Sequence, residues 1–178
     1  MTTPNPTQAL RRGTLGTGPD GAFRIRFERV LAHTPERVWA WITEPGRLAL
    51  WLPGCAIDPR VGGAVSFDFG DEGTATGVVG EAVPPGEAEG SGTQGVLVHS
   101  WCWEGVPDSV VRWTVEAAPE GTRLTLVHSE LLPGPAADFA TGWHVMLDAL
   151  DLAAEGRSAD DAWNAVGEVA ELYADASE

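Results

Sequence analysis

Two histidines and a set of tryptophans are the residues of this chain best suited to chemistry. His99 lies in the run Leu97-Val98-His99-Ser100-Trp101-Cys102-Trp103, and His128 follows Leu124-Thr125-Leu126-Val127. Alternation in an extended strand puts His99 on one face with Leu97, Trp101 and Trp103, and His128 on one face with Leu124 and Leu126. Both imidazoles therefore point inward. A role as general acid or base requires an imidazole within hydrogen-bond reach of a bound molecule at a pKa near neutrality, and on that reading His99 and His128 are the two catalytic candidates. The same placement suits a hydrogen-bonded structural histidine. His33 and His144 fall on a loop edge and on the outer side of a helix, and neither is assigned a role.

The rings pose a similar alternative. Trp101, Trp103 and Trp113 share a strand face with Phe67 and Phe69, and a helical stripe carrying Trp143, Met146 and Leu150 faces them. Together with His99 and His128 these residues form the candidate ligand-binding set. They could line a pocket for a flat apolar molecule, or they could fill a core.

Other chemistries find no support in the spacing. No short-range pair of His, Cys, Asp or Glu anchors a metal, and no metal site is expected. Cys55 follows Pro53-Gly54 without a flanking base, Cys102 points away from the Trp101 face, and no GxSxG elbow occurs. The glycine-rich stretches lack the Lys-Ser/Thr or strand-helix context of a nucleotide loop, so no cofactor is expected. The 178 residues hold 11 basic side chains, all Arg, against 26 acidic ones, a formal net charge of −15. That field repels phosphate backbones and anionic lipid, which argues against nucleic acid and membrane surfaces as partners. No stretch approaches the roughly 18 apolar residues of a membrane span, and Arg11-Arg12 leads into Gly and Thr rather than a signal core. Two cysteines make no disulfide framework, and the expectation is a cytoplasmic protein with free thiols.

The elements that must hold these residues follow from local pattern. Residues 1–21 read as a mobile tail, because Thr, Pro and Gly dominate without periodicity. Phe23, Ile25 and Phe27 alternate with Arg24, Arg26 and Glu28, predicting a first strand over about 23–32. Thr34-Pro35 opens a short helix, Pro45-Gly46 opens a second, and Pro53-Gly54 ends it. Strands then follow through Val65–Phe69, about 74–83, Leu97–Trp103, Val111–Val115 and Leu124 to near Glu130, with hairpin turns at Gly70–Gly73, Gly105–Asp108 and Pro119–Gly121. A long helix is predicted from Pro135 to about 154. A second helical segment, 158–175, begins at Ser158 as cap. The order is an α+β arrangement, a curved antiparallel sheet wrapped around the long C-terminal helix, with two short helices after the first strand.

This order and six local strings resemble the START/polyketide-cyclase superfamily, also called SRPBCC, with the helix-grip fold. Within it the chain is most similar to homologues of the activator of the 90-kDa heat-shock-protein ATPase. The strings are His33-Thr34-Pro35-Glu36-Arg37-Val38-Trp39 after an aliphatic strand, Trp51, Gly62-Gly63 before a hairpin, and Val98-His99-Ser100-Trp101-Cys102-Trp103-Glu104. Gly121-Thr122-Arg123-Leu124-Thr125-Leu126-Val127-His128 and Gly142-Trp143 with Leu147 and Leu150 complete them. They cover about residues 23–156, giving a helix-grip domain over 22–156 and a C-terminal helical extension over 157–178.

The resemblance implies a cavity between the concave sheet and the long helix, and a hydrophobic small molecule as partner. It implies no single activity. The first reading is a binding protein for an apolar or aromatic ligand, with His99 or His128 as polar handle. The alternatives are a cyclase or dehydratase acting on a polyketide-like substrate with those histidines as acid or base, and a co-chaperone-type regulator of a heat-shock-protein ATPase. The last lacks a second, N-terminal domain and a basic docking patch. The sequence departs from the family pattern at His99, where Tyr or Phe is usual, in the long 84–95 loop, and in the extension. That extension could pack on the outer sheet face or on another subunit, as in a homodimer.

Overall fold

The computed structural model describes residues 12–19, 21, 23–86 and 94–174. Eight strands form one antiparallel sheet in the order β1-β2-β8-β7-β6-β5-β4-β3. They are β1 (Thr14–Thr17), β2 (Phe23–Leu31), β3 (Cys55–Ile57), β4 (Ala64–Asp68), β5 (Thr74–Val83), β6 (Gly95–Trp103), β7 (Val106–Ala118) and β8 (Gly121–Leu131). Five helices accompany them: α1 (Pro35–Thr43), α2 (Pro45–Trp51), α3 (Pro133–Ala154), α4 (Asp160–Asn164) and α5 (Val166–Leu172). The α+β helix-grip arrangement expected from the sequence is the one found, with the 22-residue α3 across the sheet.

Local chemistry accounts for the entrance to the first helices. The Thr34 side chain accepts from the Arg37 amide at 3.3 Å and Pro35 occupies the first turn, so the orphan N–H groups of α1 are partly satisfied and partly absent. Indole donors then tie the helices together. Trp51 Nε1 donates to the Trp41 carbonyl at 3.0 Å, and Trp163 Nε1 donates to the Trp51 carbonyl at 3.3 Å. The second bond fixes the Trp163 ring against α2, and Trp41 itself is buried in the core.

Bulges curve the sheet where the candidate residues sit. On the β6–β7 ladder, Trp101 pairs with Ser109 and Trp103 with Val106, so Cys102 of β6 opposes both Pro107 and Asp108 of β7. On the β2–β8 ladder, Ile25 pairs with His128 and Phe23 with Leu131, and Glu130 takes up the extra residue at φ 61°.

Four expectations change. Thr14–Thr17, read as part of a tail, is a strand, because its backbone pairs with the open edge of β2 from Thr14↔Arg26 to Thr17↔Phe23; residues 1–11 of that segment lie outside the described residues. Cys55–Ile57 adds a strand on β4 that three residues of sequence are too short to signal. The long helix starts at Pro133 rather than Pro135. The segment after it breaks at Ala165 into α4 and α5, and both pack on α3 of their own chain rather than on the outer sheet face. Of the 84–95 loop, residues 87–93 lie outside the described residues.

Candidate functional site

The concave face of the sheet brings the predicted rings together. β6 presents His99 and Trp101, β7 presents Trp113, β8 presents His128, β4 presents Phe67, and α3 presents Trp143, each 3% exposed or less. Trp101 lies at the centre, its ring centroid 5.1 Å from Phe67, 5.2 Å from Trp143 and 5.4 Å from His128. Trp113 meets Trp143 edge-on at 5.4 Å. Met146 and Leu150 are 3% and 1% exposed and belong to the same core along α3. Phe69 and Trp103 are only partly buried, and with Phe139, a residue absent from the predicted set, they form the outer end of the cluster. Phe139 falls one helical turn before Trp143, so its i to i+4 spacing was the available signal.

Each histidine is held by an indole. Trp113 Nε1 donates to His99 Nε2 at 3.0 Å, and an indole nitrogen can only donate, so His99 carries its proton on Nδ1 and gives it to the Ser100 carbonyl at 3.0 Å. Trp143 Nε1 donates to His128 Nδ1 at 3.0 Å, which leaves the proton on Nε2 to be donated to Ser109 Oγ at 2.7 Å. The Ser109 hydroxyl passes on to the Trp101 carbonyl at 3.4 Å. Burial pushes the His99 pKa down to about 4, partly opposed by its bond to Ser100. Burial lowers His128 to about 3, with a smaller contribution from His99.

This wiring has a chemical consequence. Ser109 and His128 stand at a nucleophile–base distance, but the Trp143 bond fixes the tautomer that donates to the hydroxyl instead of receiving its proton. The pair therefore runs opposite to an activated serine. All four ring nitrogens of His99 and His128 are already in hydrogen bonds, so neither has a free lone pair for a substrate proton.

A second polar group occupies the other flank of α3, where the sequence pattern showed a solvated side. His144 is fully buried, and its Nδ1 lies 2.8 Å from the Tyr173 hydroxyl while its Nε2 lies 3.5 Å from Asp148 Oδ2. Arg29 of β2, 6% exposed, reaches Asp148 at 2.7 Å and Asp151 at 3.3 Å. Tyr173 also accepts from the Gly13 amide at 2.8 Å. The placement of His144 on the outer side of the helix is thereby corrected: α5 and Tyr173 cover that side. An open cleft of about 340 Å³ between Leu50, Pro53 and Trp163 lies elsewhere, outside the aromatic cluster.

Comparison with known proteins agrees with this architecture. Residues 32–155 match the family model described as activator of Hsp90 ATPase homolog 1-like protein. CalU16 from Micromonospora echinospora superposes with a TM-score of 0.72 at 26% identity, over 94% of this chain and 98% of that one. CV1439 from Chromobacterium violaceum gives 0.57 at 29% identity, over 72% and 94%. DynU16, a protein of the dynemicin biosynthetic locus, gives 0.63 at 24% identity, over 76% of this chain and 49% of that one, so the chain spans about half of DynU16. No functionally curated protein matches the chain in sequence. Among the described residues, no helix is long and apolar enough to cross a membrane. With the family model matched across the strands and helix that carry the cluster, the chain belongs to the activator of Hsp90 ATPase homolog 1-like family, within the START/SRPBCC superfamily.

Proposed function

We propose that the chain binds a small apolar or aromatic molecule between the concave sheet face and α3, without chemistry at the histidines. The observation that carries this reading is the aromatic cluster itself. Phe67, Trp101, Trp113 and Trp143 put four large ring systems around two neutral imidazoles, and the cluster opens toward solvent at Phe69, Trp103 and Phe139. The partly buried rings of Phe69, Trp103 and Phe139 are the ones that can stack on a flat ligand, and the cluster behind them offers few free polar groups. His99 and His128 stiffen the cluster as acceptors for Trp113 and Trp143 rather than acting on the ligand. The cyclase or dehydratase alternative requires an imidazole nitrogen free for proton transfer, which the bonding of both rings opposes. The co-chaperone alternative draws on the family's description alone and is tested by whether the protein binds or stimulates the heat-shock ATPase of its own host.

Eight Trp residues supply the test of the binding reading. A panel of lipids, flavonoids and aromatic polyketides is added while intrinsic fluorescence and melting temperature are followed. A ligand at 100 times its Kd raises stability by about 2.7 kcal/mol, well within reach of a thermal melt. A panel that moves neither signal overturns the reading.

A further inference from the structure

An open cleft lies outside the aromatic cluster, between α2 and the chain that follows α3. Its volume is about 340 Å³, and its apolar lining comes from Leu50, Pro53, Ala153 and Trp163. The far wall belongs to residues 156–163, beyond the 32–155 segment that matches the family model. Backbone bonds hold that wall in place. Gly156, at φ 78°, ends α3 by donating to the Ala153 carbonyl at 3.0 Å, and the Arg157 amide donates to the Leu152 carbonyl at 2.8 Å. The Trp163 ring is fixed by its 3.3 Å bond to the Trp51 carbonyl, whereas Leu50 stands 60% exposed. The cleft is therefore formed in advance, which lowers the cost of filling it.

Two charged side chains line the cleft, Arg157 and Asp160. Arg157 already faces Glu155 at 3.7 Å. The Asp160 amide donates to Ser158 Oγ at 3.2 Å, but the Asp160 carboxylate has no partner among the described residues. The uncommitted charge is thus negative, and it lines the same cleft as a partly buried indole in a chain of net charge −15. Such a cleft concentrates the field on cations. An indole face attracts a cation through its quadrupole, and a carboxylate accepts a charge-assisted hydrogen bond from an ammonium group. An anion would meet Asp160 and would have to draw Arg157 away from Glu155.

We infer that this cleft is a second binding site, for an organic monocation with an aromatic body: an arylalkylammonium ion whose ring packs against Leu50, Pro53 and Trp163 and whose ammonium group donates to Asp160. The site is separate from the concave sheet face and does not rest on the ligand proposed there. Phenylbutylamine, phenylbutanol and phenylbutyrate share one skeleton and carry a positive, a neutral and a negative head at neutral pH, so they isolate the charge. Each is titrated into the full chain while the Trp163 indole proton, assigned by its loss in Trp163→Phe, is followed by NMR. The amine should move that proton and bind about ten-fold tighter than the alcohol, and the carboxylate should bind more weakly than the alcohol. In Asp160→Asn the preference of the amine over the alcohol should fall below about two-fold. An alcohol or carboxylate that binds as tightly as the amine, or a preference that survives Asp160→Asn, overturns the inference. So does an amine that moves the indole protons of Trp113 and Trp143 and leaves that of Trp163 in place, because it then occupies the aromatic cluster. A Trp163 proton that none of the three moves, or that moves with protein concentration alone and so reports a second copy in the cleft, overturns it as well.

Discussion

The two flanks of α3 bury polar groups in opposite ways. Toward β6, β7 and β8, His99 and His128 are neutral rings, each accepting from an indole and donating to an oxygen. Toward β2, Arg29 pairs with Asp148 and Asp151, and His144 connects Asp148 to the hydroxyl of Tyr173. The first arrangement keeps the ring cluster rigid and uncharged. The second uses charge as a fastener, because it joins β2 and α3 to β1 through Gly13 and to the C-terminal helices through Tyr173. Buried neutral bonds are individually modest, whereas a buried charge that loses its partner is costly. The flank that carries the candidate site should therefore be the more forgiving one.

Removing charge from the fastener tests this most severely. Asp148→Ala takes away the 2.7 Å partner of a guanidinium that is 6% exposed, and should destabilise the fold by about 3–5 kcal/mol in urea unfolding. His128→Phe, which strands the Trp143 donor on the neutral flank, should cost about 1–3 kcal/mol. The reverse ranking would break the comparison.

Acid should expose the neutral flank next. An unfolded histidine titrates near 6.5, while burial holds His99 at about 4 and His128 at about 3 in the fold. Between these values the unfolded chain binds more protons. The stability is therefore complete above pH 6.5 and is lost as pH falls toward 4, at about 1.4 kcal/mol per pH unit for each histidine. Urea midpoints at pH 7 and pH 5 should reveal a loss of about 2 kcal/mol per histidine. His128→Phe should remove roughly half of the histidine contribution. A variant that retains the full pH dependence would assign the proton uptake to other groups.

The contrast between the flanks also explains what the sequence disclosed. Alternation in β6, β7 and β8 placed His99, Trp101, Trp113 and His128 on one face, and the α3 stripe placed Trp143 opposite, because each strand keeps period two through the site. The bonding of those residues was not legible, since tautomers and indole partners depend on the register between strands. Arg29 continues the inward alternation of Ile25 and Phe27, yet its charge disguises it as a surface residue. His144 reads as lying on the outer side of the helix, and its neighbour Asp148 is polar for the same reason. Only the return of α5 over α3, a contact between residues far apart in the chain, buries them. The strand at Thr14–Thr17 was equally hidden, because its stability comes from pairing with β2 and from Tyr173 rather than from its own composition.

Tyr173 offers the mildest way to separate the flanks. Its hydroxyl accepts from the Gly13 amide and lies 2.8 Å from His144 Nδ1, while its ring packs on Phe27 and under Arg12. Burial pushes the phenol up to about 12, so the hydroxyl stays protonated and can donate to His144 across the usable pH range. Tyr173→Phe keeps the ring contacts and removes both bonds, at a cost of about 1–2 kcal/mol. Because the hydroxyl fastens the chain just before β1, the loss should be local. Amide exchange at Thr14–Thr17 should accelerate, while the indole protons of Trp113 and Trp143 keep their protection on the opposite flank. If those indole protons exchange faster as well, the two networks are one cooperative unit and α3 does not insulate the site from its fastening.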